Sequence, residues 1–282
     1  MGTRRITDRI GLEVRALERA LWPPACRLCG RPAADGVACA DHRLDVSEVR
    51  ARCGLCARPL APGIRGAGRW PAPPWRPAGV GRRRDAWHRC PACRRAAPGL
   101  GRLLVLGDYP GALRPWVLAL KGGRRPALVE ALAGLLAGRM AAAGWTGDRG
   151  APVTLVPVPC HPLRRIERGF DQARLLAEAL APRVGGRALP ALVRRRATPR
   201  QGEPGSASRR ANVAGAFALA GPAPWTRRRL AGGRGARVLL VDDVVGTGAT
   251  LGACARVLRA SGCRAVGAVA LGRGRGPRDP PP

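Results

Sequence analysis

Acidic residues are scarce in this sequence. Only 18 Asp and Glu stand against 50 Lys and Arg, which leaves a formal charge of +32 over 282 residues. Lysine is nearly missing too, Lys121 being the single one, and there are one Tyr and two Phe. A chain rich in Arg, Ala, Gly and Pro and poor in Lys, Asn, Ile, Tyr and Phe follows the usage of a GC-rich genome, which explains arginine in place of lysine. It does not explain the missing acids, so the positive field is a physical property. Two readings of that field stand: attraction for polyanions such as nucleic acid or nucleotide phosphates, or a solvated basic surface with no specific partner. No run approaches the roughly 20 apolar residues of a membrane helix. The most apolar stretch, residues 127–143, is broken by Glu130 and Arg139. Asp8, Arg9 and Glu13 occupy the place where a signal peptide needs an apolar core, so the expected location is the cytoplasm. In that compartment ten cysteines point to metal before disulfides.

The chain has room for one large domain or two unequal ones, with a core built mainly from Leu, Val and Ala. Ile10, Val14, Leu17 and Leu21 share one face of a short helix that Thr7 or Asp8 caps and Pro23 and Pro24 end. Residues 26–93 are punctuated by cysteine and rich in turn formers, and residues 61–84 within them are a Pro/Gly/Arg tract that reads as a mobile loop. After Pro98 the pattern changes. Strands are expected at residues 102–106, 154–158, 238–241 and 264–271, and helices at 127–143, 171–181 and 249–260. That alternation predicts an α/β domain with a mainly parallel sheet over residues 99–272, followed by a disordered tail at 273–282.

Four pairs of ligands lie in the first 98 residues: Cys26-x-x-Cys29, Cys39-x-x-His42, Cys53-x-x-Cys56 and Cys90-x-x-Cys93. Eight ligands suit two tetrahedral zinc ions. Sequential pairing gives Cys26/Cys29/Cys39/His42 and Cys53/Cys56/Cys90/Cys93; interleaved pairing satisfies the same spacing. His42 is the weakest ligand, so the expected count is one or two structural zinc ions. The segment is too poor in apolar residues to fold without such a staple. Cys160, Cys254 and Cys263 lie outside it and are expected as small buried hydrophobes.

The strongest motif is Val238-Leu-Leu-Val-Asp-Asp-Val-Val-Gly-Thr-Gly-Ala-Thr250. Four apolar residues make a buried strand, two acids end it, and a small-residue turn opens a helix. Ligands of open α/β sheets bind at the carboxyl ends of strands, and a helix N-terminus offers N–H groups and a positive dipole end to phosphate. Gly246 and Gly248 let the backbone close on an anion, and Thr247 and Thr250 add hydroxyl donors. Asp242 and Asp243 would repel that phosphate unless they face donors, and vicinal ribose hydroxyls are such donors. Neither a G-x-x-x-x-G-K loop nor a G-x-G-x-x-G fingerprint occurs.

This stretch resembles the phosphoribosyl pyrophosphate signature of type I phosphoribosyltransferases. The resemblance implies that Asp242 and Asp243 hold the ribose hydroxyls and that Val244, Val245, Gly246, Thr247, Gly248, Ala249 and Thr250 hold the 5-phosphate. A second run, V-P-V-P-C-H-P-L-R-R-I-E-R-G-F-D-Q at residues 156–172, offers His161, Arg164 and Arg168 to pyrophosphate or simply to solvent. With the cysteines, with Asp108-Tyr109, with Leu118-Ala-Leu-Lys-Gly-Gly123 and with Gln201, Arg209 and Asn212, the chain looks like the ComF family of competence-associated phosphoribosyltransferase-like proteins. That resemblance implies a type I phosphoribosyltransferase fold behind a small N-terminal double zinc ribbon. It implies Asp242, Asp243 and Arg168 as catalytic residues, and Lys121, His161, Arg164, Gln201 and Arg209 as substrate contacts. Mg²⁺ would accompany phosphoribosyl pyrophosphate, and residues 194–212 would be the loop covering it. Three expectations of function follow: a transferase with an unnamed acceptor; a non-catalytic adaptor that binds phosphoribosyl pyrophosphate or nucleic acid, single-stranded DNA included, and works with uptake proteins; or a nucleotide-salvage transferase. Asp171 stands where the family usually has Asn, Pro204-Gly205 where it has Leu-Ser, and Gly246 where Thr is common. Trp70, Trp75 and Trp87, set among arginines, are the expected platforms for stacked bases.

Overall fold

The computed structural model describes residues 24–44, 52–60, 89–95, 100–148, 151–160, 162–196, 213–231, 237–263 and 265–274. The chain forms two compact units, Met1–Asp45 and Val46–Pro282. In the first, Ala25 bridges Pro32, a 3-10 turn covers Ala40–His42, and Cys26, Ala33 and Cys39 make a small buried cluster.

The second unit is built on a five-stranded sheet. Its strands are β1 (Leu103–Asp108), β2 (Val153–Pro157), β3 (Gly186–Ala188), β6 (Arg237–Val245) and β7 (Ala265–Arg273). They run parallel in the order β1-β7-β6-β2-β3. A separate antiparallel pair joins β4 (Leu192–Arg194) to β5 (Phe217–Leu219). The helices are α1 (Pro91–Arg95), α2 (Leu113–Gly122), α3 (Pro126–Ala142), α4 (Pro162–Arg168), α5 (Gln172–Leu180), α6 (Ala223–Ala231) and α7 (Ala249–Ala260).

Strand periodicity sorts the core into two faces. Leu103, Val105, Val156, Val238, Leu240, Ala268 and Ala270 point to one cluster, shared with Leu251, Cys254 and Leu258 of α7 and Phe217 of β5. The alternate residues, among them Leu104, Leu155, Leu239 and Val241, are equally buried on the opposite face, where α3 and α5 pack together and against the sheet. Helix α3 begins with Pro126 and turns Leu128, Leu132, Leu136 and Met140 inward at helical spacing.

The strands and helices expected after Pro98 are present, and β6 runs four residues further than the apolar run, through both acids to Val245. The expected helix of Ile10, Val14, Leu17 and Leu21 lies outside the described residues. Strand β7 extends to Arg273, the first residue of the expected tail, because that side chain is buried and its Nε donates to the Cys56 carbonyl at 2.8 Å. Residues 61–84, 197–212 and 275–282 lie outside the described residues, as do Trp70, Trp75 and Trp87.

The structure also departs from a break near residue 98. The Cys53–Cys56 knuckle belongs to the unit that carries the sheet. Arg52 grips Asp108 through two hydrogen bonds, 2.8 and 3.1 Å, and the Leu103 N–H donates to the Gly54 carbonyl at 3.0 Å. Ala57 packs into the core cluster. The Arg52 side chain is only 8% exposed, so losing its partner strands a desolvated cation. Asp108→Ala is expected to cost about 1–3 kcal/mol, less than a fully buried pair because the carboxylate is partly solvated. Arg174→Ala, which breaks the exposed i,i+4 pair with Glu178, is expected to cost about 0.5 kcal/mol or less. Urea denaturation midpoints of the two variants check the ranking, and equal shifts would remove the Arg52 clamp from the account.

Candidate functional site

Strand order sets where a ligand can sit. From β2 the chain moves outward to β3, whereas from β6 it moves the opposite way to β7. The carboxyl ends of the adjacent strands β2 and β6 therefore flank a topological switch point, the ordinary ligand crevice of a parallel α/β sheet. Pro157 ends one of these strands, and Asp242-Asp243-Val244-Val245 ends the other.

The two acids are held by their own backbone. Asp242 Oδ1 accepts from the Asp243 N–H at 2.9 Å, and Asp243 Oδ1 accepts from the Val244 N–H at 2.6 Å. Lys121, in the last turn of α2, places Nζ 2.9 Å from Asp243 Oδ2, and it lies 5.9 Å from the centroid of the Tyr109 ring. Burial, then the charge of Asp243, pushes the Asp242 carboxyl well above the usual range, against the pull of the Asp243 N–H and Lys121. Beyond the acids, Gly248 caps α7 in the left-handed conformation, φ 76°, which glycine adopts without steric cost. Thr247 Oγ1 accepts from the Ala249 N–H at 3.4 Å. The first turn of α7 thus faces the loop with N–H groups that no helix pairs internally.

Lys121 also lines a cavity of about 410 Å³ with Arg124, Glu167, Arg168 and Phe170. Three cations against one carboxylate give it a net positive lining. The cavity joins the end of α2 to the α4–α5 turn.

Each cysteine cluster gathers four ligand atoms within 4.8 Å of one another: Cys26/Cys29/Cys39/His42 in the first unit and Cys53/Cys56/Cys90/Cys93 in the second. Pairing is sequential, and His42 is in place. Tetrahedral Zn–S bonds of about 2.3 Å put sulfurs about 3.8 Å apart. Cys29–Cys39 and Cys56–Cys90 are both at 3.7 Å, and His42 Nδ1 lies 3.7 and 3.4 Å from the sulfurs of Cys26 and Cys39. Both donor sets therefore fit a tetrahedral zinc ion. In the second cluster, hydrogen bonds from Cys56 and Cys93 draw the Cys53 thiol far down, while the same contacts push Cys56 up to about 12 and Cys93 higher still. A metal ion takes cysteines as thiolates, so binding at this cluster releases protons.

The comparisons agree with this geometry. The sequence profile of the phosphoribosyl transferase domain matches residues 171–281. The DNA utilization protein YhgH of Escherichia coli (strain K12) is 32% identical over 178 residues, 63% of this chain and 74% of that protein. Competence protein F of Haemophilus influenzae is 29% identical over 185 residues, 65% of this chain and 78% of that protein. The chain belongs to the ComF family of phosphoribosyltransferase-like proteins.

Among the residues expected from the ComF resemblance, the structure brings Asp242, Asp243, the 244–250 loop and Lys121 together, and it puts Lys121 and Arg168 around one cavity. Arg164 lies on α4 with its side chain outside the described residues; His161, Gln201 and Arg209 lie outside them altogether. Arg124, Glu167 and Phe170 were not expected as cavity residues. The signal for Arg124 was available, because it follows the Leu-Lys-Gly-Gly run directly. Asp171 in place of the family's Asn has a clear use. Its Oδ1 caps α5 by accepting from the Arg174 N–H at 3.1 Å, and its Oδ2 accepts from the Cys160 N–H at 3.2 Å. One carboxylate thus ties the end of β2 to the start of α5. Burial, followed by the Asp171 charge, pushes the half-buried Cys160 thiol up to about 11, while Cys254 and Cys263 are buried in the core as expected.

Proposed function

We propose that this ComF-family chain binds phosphoribosyl pyrophosphate at the carboxyl end of β6, with the 5-phosphate in the 246–250 loop and the ribose diol on Asp242 and Asp243. The observation that carries this reading is the pairing of two adjacent acids with a glycine-capped helix N-terminus at the switch point. Acids there need hydroxyl donors, and the helix end needs an anion; a phosphorylated ribose supplies both. Lys121, Arg124 and Arg168 in the adjoining cavity suit the pyrophosphate. Mg²⁺ brought in with the substrate would be held beside Asp242 and Asp243, the latter paired with Lys121 in this structure, and would supply neutralisation of the pyrophosphate charge. The reaction is displacement of pyrophosphate from the anomeric carbon through an oxocarbenium-like state, helped mainly by charge stabilisation. The two cysteine clusters hold structural zinc, each with its four positions filled by protein. No helix among the described residues is long and apolar enough to cross a membrane, and the cytoplasm is the compartment in which the substrate reading places the chain.

The names of the relatives favour a second reading, an adaptor that binds the sugar phosphate and handles DNA without turnover. Helix α6 presents exposed Arg227, Arg228 and Arg229, with Arg229 4.6 Å from the ring centroid of Trp225, itself 55% exposed. Phosphates and a stacked base fit such a surface. Pyrophosphate release across a panel of base acceptors supports the transferase. Its absence, together with oligonucleotide anisotropy that falls steeply with salt, supports the adaptor. Binding that ignores salt would remove the basic surface from that reading.

Asp243→Asn should weaken phosphoribosyl pyrophosphate binding by about 1–3 kcal/mol, one or two charge-assisted hydrogen bonds, in titration calorimetry with Mg²⁺. Wild-type affinity in that variant would remove the ribose role. Elemental analysis of purified protein should return two zinc ions per chain, falling to one in Cys29→Ser. A folded, zinc-free protein would refute the structural-metal assignment.

A further inference from the structure

The Cys53–Cys56 knuckle and the phosphate loop meet on one residue, Arg273. Its side chain is 4% exposed, and Nε donates to the Cys56 carbonyl at 2.8 Å. Its backbone lies opposite Val245 in the β6–β7 register, and its carbonyl accepts from the Tyr109 N–H at 2.8 Å. One residue on, the Gly274 N–H donates to the Val245 carbonyl at 2.8 Å, and a Cβ added there would lie 3.8 Å from the Gly246 Cα. Val245 and Gly246 lead directly into the loop, and Tyr109 lies beside Lys121, the partner of Asp243. The same knuckle is fixed to both ends of β1, by the Leu103–Gly54 hydrogen bond and by the Arg52–Asp108 pair.

We propose that Arg273 is a positioning residue that couples the metal state of Cys53/Cys56/Cys90/Cys93 to the affinity of the phosphate loop. The proposal rests on the phosphoribosyl pyrophosphate reading above. A buried guanidinium cannot give up a charge-assisted hydrogen bond cheaply, so it follows its acceptor when that acceptor moves. Loosening the four sulfurs releases the Cys56 carbonyl, and the shift passes along Arg273 to the strand end beside Val245. A backbone phosphate cradle works only within about 0.5 Å of its productive geometry, so a small shift is felt as lost affinity. Linkage makes the effect reciprocal: a ligand on the loop must tighten the cluster's equilibrium hold on its metal.

The test uses the full-length zinc-loaded protein. Zinc release to a chromogenic chelator is followed to equilibrium with and without phosphoribosyl pyrophosphate and Mg²⁺, alongside titration calorimetry of the same ligand. In the wild type the ligand should shift the equilibrium partition of one of the two ions toward the protein and away from the chelator by about fivefold or more, the lower end of ordinary coupling between sites. Arg273→Met keeps the stem and removes the donor. With its zinc content unchanged, it should bind the ligand about fivefold or more weakly and lose the protection. Arg273→Lys retains a donor and should recover part of both. Equal affinity and equal protection in Arg273→Met and wild type would overturn the coupling and leave the loop reading standing. A wild-type protein that takes up no phosphoribosyl pyrophosphate would overturn both. Should Arg273→Met not fold, Arg273→Lys carries the comparison, and wild-type zinc release indifferent to ligand sinks the coupling by itself.

Discussion

Two carboxylates side by side at the end of a buried strand repel each other, and much of this unit is arranged so that they can stay there. Asp242 is half-buried, and desolvation together with the neighbouring Asp243 charge holds its carboxyl well above the usual range. Asp243 turns the other way and is met by Lys121, the chain's single lysine. Each acid also accepts a backbone N–H from its successor, which fixes the strand end without help from a neighbouring side chain. Acids held this way at the carboxyl end of a central strand are what the proposed ribose contact uses.

The surrounding elements converge on that strand end. Helix α2 carries Lys121 there, α7 begins there, β7 closes it through Gly274, and Asp171 staples the neighbouring β2 to α5. The second cysteine cluster is drawn into the same network by Arg52 and Arg273, whereas the first belongs to a separate compact unit. Two clusters of similar chemistry therefore sit in different mechanical surroundings. Under the proposed coupling, a metal held by the second would act on the 246–250 loop through the backbone of β7.

Sequence patterns revealed what is local. The apolar run and acids of β6, the glycines and the first turn of α7 are contiguous, and their physics is complete within 13 residues. The knuckles were equally plain, though spacing alone left their pairing open. Helix α2 was not among the expected helices, although Leu113, Trp116, Val117 and Leu120 follow helical spacing, because Pro115 interrupts a run only ten residues long. Pro115 falls in the first turn, where its missing N–H has no intrahelical partner to lose. Strand β3, Gly-Arg-Ala, carries no alternation and owes its conformation to pairing with β2. The Lys121–Asp243 and Arg52–Asp108 pairs join residues far apart in sequence and could not be read from either neighbourhood. The same holds for the docking of Cys53–Cys56, which turned an expected separate module into part of the sheet-bearing unit.

The measurement that tests the central claim most directly is a crystal structure of the protein grown with phosphoribosyl pyrophosphate and Mg²⁺. The account predicts the 5-phosphate against the backbone of residues 246–250, the ribose diol on Asp242 and Asp243, and the pyrophosphate beside Lys121 and Arg168. Ligand bound away from the carboxyl end of β6, with the two acids still turned to Lys121 and to their own backbone, would contradict it.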